Sequence, residues 1–125
     1  MSDARRVVVI DDDHGVREIL SLALSAEGYE VESARDGAEG LAELARHPAD
    51  VVIVDMRMPE LDGRDFCRLY AEQTGGSGRV ILMTAMPGSA ATTDIAGVVE
   101  WIAKPFDLNE VLDIVARVAS ASSTA

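Results

Sequence analysis

The chain has 125 residues, 48% of them hydrophobic, which is enough for one domain with a real core and too few for two ordinary ones. Acidic residues outnumber basic ones 22 to 11, and a net charge of −11 argues against holding nucleic acid or an anionic membrane through the general field of the molecule. No apolar run approaches the length of a membrane span, MSDARR before a strand does not read as a signal peptide, and the lone Cys67 excludes an internal disulfide, so a soluble cytoplasmic protein is expected.

The first element is VVVI (7–10), rich in β-branched residues and wholly apolar, as a strand covered on both faces should be. It runs directly into Asp11, Asp12 and Asp13, three like charges that repel one another and resist dehydration. Capping of the following segment, HGVREILSLAL, accounts for one or two of them. The remaining charge needs a cation or partner groups from elsewhere in the chain. Val16, Ile19, Leu20, Ala23 and Leu24 form a helical stripe that ends at Gly28, read as its C-cap. His14 beside the acids reads as part of a solvated helix start.

YEVESA (29–34) is the second strand, and DGAE (36–39) opens the second helix with an Asp N-cap and Glu at the third position. His47 before Pro48 reads as loop. DVVIV (50–54) is the third strand and leads into Asp55 within DVVIVDMRMPELDG, where Asp62-Gly63 reads as turn chemistry. RDFCRLYAEQ supplies a third helix, with Cys67 in its apolar pattern, closed by the turn-rich TGGSG. RVILM (79–83) is the fourth strand and delivers Thr84. PGSAATTDIAG (87–97) should hold a fourth helix, yet it is loaded with poor helix formers, so a short or irregular one is expected. VVEWIA (98–103) is the fifth strand and ends at Lys104; DLNE (107–110) repeats the capping device before VLDIVARVA. The expected domain spans 1–119, with 120–125 a flexible tail or the start of a linker.

Strand and helix alternating in this way imply right-handed crossovers and a parallel sheet with helices on both faces, in an α/β doubly wound fold. Ligands of such sheets sit beyond the carboxyl ends of the strands. At that edge four strands each deliver a polar group: Asp11 and Asp12, Asp55, Thr84, and Lys104, the only lysine among eleven basic residues. Three converging carboxylates are tolerable with a hard divalent cation, and an oxygen-rich seat with room for water and a phosphate oxygen suits Mg²⁺, or Mn²⁺. Asp55 can offer one oxygen to the metal and the other as a nucleophile, giving an aspartyl phosphate. Lys104 and the metal would offset charge on the transferring group, and Thr84 would hydrogen-bond one of its oxygens.

Over essentially its full length the sequence resembles the receiver domain of two-component response regulators, through Asp11 and Asp12 after the first strand, Asp55, Thr84 before the small Ala85, and Lys104 in KPF. The resemblance implies a flavodoxin-like sheet of order 2-1-3-4-5. It also implies that Asp55 accepts a phosphoryl group from a sensor histidine kinase or a histidine phosphotransfer domain, and that the Arg57 backbone carbonyl is a third protein ligand to the metal. It further implies a cis Lys104–Pro105 bond and a switch coupling Thr84 to the aromatic Trp101. The interval from Thr84 to Lys104 is shorter than is usual in the family, and a tryptophan stands where tyrosine or phenylalanine is common. Arg57 and Met86, two positions past Asp55 and Thr84, are expected to tune phosphate loss.

Two other functions compete with this one. A haloacid-dehalogenase-like phosphatase would use Asp11 as nucleophile and Asp13 as acid/base, but leaves Asp55 without a role and lacks both a further acidic strand end and a cap domain. A pseudo-receiver that acts only by binding should lack some of the acids, the hydroxyl or the lysine, and this chain lacks none. The expectation is therefore a signalling switch rather than an enzyme, either a stand-alone receiver without an output domain or a fragment of a longer regulator.

Overall fold

Val7–Ile10, Val51–Val54 and Ile81–Met83 are fully shielded from water. This is the burial that continuous runs of Val, Ile and Leu demand when helices cover both faces of a sheet. The computed structural model describes residues 5–89 and 94–122. Its elements are β1 (Arg6–Ile10), α1 (His14–Ala26), β2 (Glu30–Ala34), α2 (Gly37–Arg46), β3 (Val51–Asp55), α3 (Gly63–Thr74), β4 (Val80–Thr84), β5 (Val98–Ala103) and α4 (Leu108–Ser122). The five strands form one sheet in the order β2-β1-β3-β4-β5, and every adjacent pair is parallel.

Alternate strand residues feed two cores. Val7, Val9, Ile53, Ile81, Met83 and Ile102 pack against Leu20 and Leu24 of α1 and Val111, Val115 and Val118 of α4. Val8, Ile10, Val52, Val54, Val80 and Leu82 meet Leu44 of α2 and Phe66, Cys67 and Tyr70 of α3. Each fully buried side chain of this size contributes about 1.5–3 kcal/mol. The sheet edge that carries the polar groups is thus held from both sides. Along β5 a register shift sets Val80 opposite Val98 but Ile81 opposite Glu100. The bulge lets Val98 and Trp101, three positions apart, pack on the α3 side, while Glu100 reaches Arg117 of α4 at 3.1 Å.

Helix starts follow their capping acids. The Asp13 carboxylate accepts the N–H groups of Gly15 and Val16, and that of Asp36 accepts the N–H of Glu39, whose own carboxylate returns to Arg35 N–H. Asp107 accepts the N–H of Asn109 at the head of α4. At the end of α1 the cap is Glu27, one position before the Gly28 read as the cap from the sequence, and Gly28 follows it with φ +96. Glycine is needed there because that backbone is left-handed.

Between β4 and β5, residues 85–89 and 94–97 run as turns, bends and coil rather than as the fourth helix expected over 87–97; positions 90–93 lie outside the described residues. Gly, Ser and Thr give this segment little helical preference. Ile95 and Val98 still pack on the α3-side core. At the other end α4 continues through Ser122, past the boundary at 119 read from the sequence. Residues 123–125 lie outside the described residues. Among the described residues no helix is long and apolar enough to cross a membrane.

Candidate functional site

The carboxyl ends of β1, β3, β4 and β5 lie side by side because their order is β1-β3-β4-β5. Asp11 follows β1 and is wholly buried, its N–H donating to the Ala34 carbonyl at 3.2 Å. Asp55 closes β3 and Thr84 closes β4, and they keep only 5% and 7% of their surface exposed. Lys104 follows β5, and its N–H donates to the Thr84 carbonyl at 2.9 Å, so its side chain starts beside that strand end. Its peptide bond to Pro105 is cis.

From this position the Lys104 ammonium reaches Asp11 Oδ2 at 3.0 Å and Asp55 Oδ1 at 3.1 Å. Burial works against the charge on Lys104, but the hydrogen bonds and charges of Asp11 and Asp55 outweigh it and raise the pKa. The ammonium stays charged. For Asp55 the balance tips the other way: burial first, and the nearby Asp11 charge second, hold its carboxyl above the ordinary range despite Lys104. One ammonium does not neutralise this cluster.

Asp12 is exposed and completes it: oxygens of Asp11, Asp12 and Asp55 lie within 4.8 Å of one another. Three hard oxygen donors around one point, two of them withdrawn from water and short of positive charge, fit Mg²⁺ or Mn²⁺. Asp13 stands apart. Its carboxylate is taken up by the α1 N–H groups, so the pairing of Asp11 with Asp13 as nucleophile and acid/base finds no support in the geometry.

Thr84 Oγ1 accepts the Met86 N–H at 3.2 Å. Met86 is exposed and, with Arg57, lines an open cleft of about 630 Å³ beside the acids, together with Met56, Met58, Asp62 and Thr84. Trp101 is half-buried on β5, opposite Leu82 in register and two positions from the Ala103 that faces Thr84.

Two residues of the site escaped the sequence reading. Gly63, read as part of a turn, is the buried first residue of α3, and its N–H donates to the Met56 carbonyl at 2.9 Å. A Cβ there would fall 2.8 Å from Met56 Cα and 2.9 Å from the Asp55 carbonyl oxygen. Asp62, read with Gly63 as a turn, is the N-cap of α3 and accepts the Asp65 N–H at 2.9 Å; the one available hint was a glycine directly after such a capping acid, where a better helix former would normally stand. Arg17, on the first turns of α1, donates from Nη1 to the Asp11 carbonyl at 2.7 Å. No spacing rule marks it, since an arginine on an amphipathic helix is usually a solvated charge.

A model of the response regulator receiver domain matches residues 7–116. Response regulator MprA of Mycobacterium sp. (strain KMS) is 41% identical over 110 residues, 86% of this chain and 47% of that protein; MprA of Mycobacterium leprae (strain TN) is 40% identical over the same shares. The chain thus spans about half the length of the curated relatives it matches. Among solved structures, the chemotaxis response regulator CheY4 of Vibrio cholerae superposes with a TM-score of 0.85 at 30% identity, covering 92% of this chain and 98% of that one. TrrA of Thermotoga maritima, solved in complex with Mg²⁺-BeF, gives 0.81 at 28% identity, covering 91% and 98%.

Proposed function

The chain belongs to the response regulator receiver family, and from that premise we propose that Asp55 accepts a phosphoryl group from the phosphohistidine of a sensor histidine kinase or a histidine phosphotransfer domain. The observation that carries this reading is the Lys104 ammonium held between Asp11 and Asp55 at 3.0 and 3.1 Å, on the strand end next to Thr84. A purely structural salt bridge needs one carboxylate. Here one cation serves two buried ones with a third alongside, an arrangement poised for additional positive charge and for an incoming anion.

In the step, an Asp55 carboxylate oxygen forms a bond to phosphorus as the phosphorus–nitrogen bond of the donor breaks, and the imidazole departs. Asp11, Asp12, Asp55 and the Arg57 carbonyl would hold a divalent cation, Mg²⁺ or Mn²⁺, whose charge offsets that of the phosphoryl oxygens when bound. Lys104 is close enough to Asp55 to follow the new charge outward, and the Thr84 hydroxyl supplies a hydrogen bond to a phosphoryl oxygen. Movement of Thr84 is coupled to Trp101, which passes the change to the β5 surface. Arg57 and the apolar Met86 border the approach of a hydrolytic water; Met86 orients it poorly and prolongs the phosphorylated state.

The unit so read is a cytoplasmic signalling switch over 1–119, with α4 running on to Ser122 into a 120–125 tail or linker start, and its output is a change in protein binding. Intact mass after incubation with acetyl phosphate tests it. One phosphoryl adduct that requires Mg²⁺ and is lost in Asp55→Asn is expected. An adduct retained in Asp55→Asn, or absent from the wild type with both acetyl phosphate and a cognate phosphorylated kinase, would overturn it.

A further inference from the structure

Arg17 is half-buried, and its guanidinium is turned back across the β1–α1 loop. Nη1 donates to the Asp11 carbonyl at 2.7 Å, and Nη2 lies 3.4 Å from His14 Nδ1. Asp11 is wholly buried, so water does not reach its carbonyl and the guanidinium serves as its donor. The peptide unit that carries this oxygen is the one that joins Asp11 to Asp12. Its plane sets the direction in which the Asp12 backbone, and with it the exposed Asp12 carboxylate, leaves the strand end.

The rest of the loop is pinned on its other side. Asp13 N–H donates to Asp11 Oδ1 at 2.9 Å, and the Asp13 carboxylate caps α1. Arg17 N–H donates to the Asp13 carbonyl at 3.1 Å, so the same residue ties the loop through backbone and side chain. Among the described residues, Asp12 is the one acid of the three without a hydrogen-bonded hold of this kind on its own carboxylate, and its placement depends on the peptide before it.

We infer that Arg17 is a positioning residue for the divalent-cation seat: by holding the Asp11–Asp12 peptide it aims the Asp12 carboxylate toward those of Asp11 and Asp55. The inference rests on the cation reading of the acid cluster given above. Charge alone predicts the opposite sign. A guanidinium beside the seat repels a divalent cation, so removing it should tighten binding if Arg17 did nothing else.

Direct Mn²⁺ binding, followed by loss of the free-ion electron paramagnetic resonance signal, separates the two without any phosphoryl transfer. In Arg17→Met, affinity is expected to fall by about tenfold, the lower end for groups that orient a metal ligand. Arg17→Lys keeps the charge and one donor and should recover part of the loss. In an Asp12→Asn background the Arg17→Met change should have little further effect, because the two act through one carboxylate. Affinity in Arg17→Met equal to or tighter than wild type, or an undiminished loss in the Asp12→Asn background, overturns the inference while leaving the cation seat intact. A wild-type chain whose Mn²⁺ binding does not depend on Asp12 and Asp55 overturns the seat itself, and this inference with it.

Discussion

Replacing Gly63 with alanine adds a single methyl group at the point where α3 starts beside the end of β3. Its carbon would lie 2.8 Å from Met56 Cα, 2.9 Å from the Asp55 carbonyl oxygen and 3.0 Å from Leu82 Cδ1. Two of these neighbours are backbone and the third is a fully buried side chain, so relief requires moving the β3–α3 loop or the helix. Overpacking of this kind costs about 1–3 kcal/mol, against about 0.4–1 kcal/mol gained from restricting the unfolded chain, leaving a net loss of about 1–2 kcal/mol. For a domain of this size that is a fall in Tm of roughly 4–8 °C. Because the displaced atoms belong to Asp55 and Met56, phosphorylation by acetyl phosphate should slow as well, by about tenfold for a shift of a few tenths of an ångström. Thermal unfolding and the rate of adduct formation test both halves. A Gly63→Ala protein as stable as wild type and phosphorylated at the same rate would refute the reasoning, since it would mean that the helix start gives way without disturbing the site.

Three further outcomes are expected. Lys104→Met leaves Asp11 and Asp55 buried without their cation and should lower metal-free stability at neutral pH by about 3 kcal/mol, the modest end for a broken buried pair, because 27% of the Lys104 side-chain surface is exposed; an unchanged urea midpoint would contradict it. With chelator present, the raised Asp55 carboxyl makes the folded state bind its proton more tightly than the unfolded state, so this group's contribution falls as pH rises from about 3.8 through the raised folded value. The stability of Asp55→Asn relative to wild type should therefore grow over that window, and a constant difference would count against the burial argument. Cys67 is 1% exposed, and burial pushes its thiol up to about 12. It should react with a disulfide reagent only as fast as the protein opens; rapid labelling of the native chain would be inconsistent with the packing of α3.

What was legible in the sequence was whatever a single residue type declares through its own chemistry. Short β-branched runs such as VVIV and VILM read as strands covered on both faces, and a parallel order then brings Asp11, Asp55, Thr84 and Lys104 to one edge. Capping by Asp13, Asp36 and Asp107 is similarly local and was visible in advance. Arg17 and Gly63 were not visible, because their roles depend on which backbone atom lies opposite after folding: a carbonyl six residues back in one case, the end of β3 in the other. The segment between β4 and β5 was ambiguous for the converse reason. The βαβ pattern asked for a helix while Gly, Ser and Thr opposed one, and the described part follows its composition.

The most direct test of the account is to identify the residue that carries the phosphoryl group, by trapping the acyl phosphate with borohydride after Mg²⁺-dependent phosphorylation and mapping the peptides by mass spectrometry. Reduction converts a phosphorylated aspartate to homoserine. Homoserine at position 55, with Asp11 and Asp12 unmodified, is the predicted result; homoserine at position 11, or an adduct that borohydride leaves untouched, would contradict it.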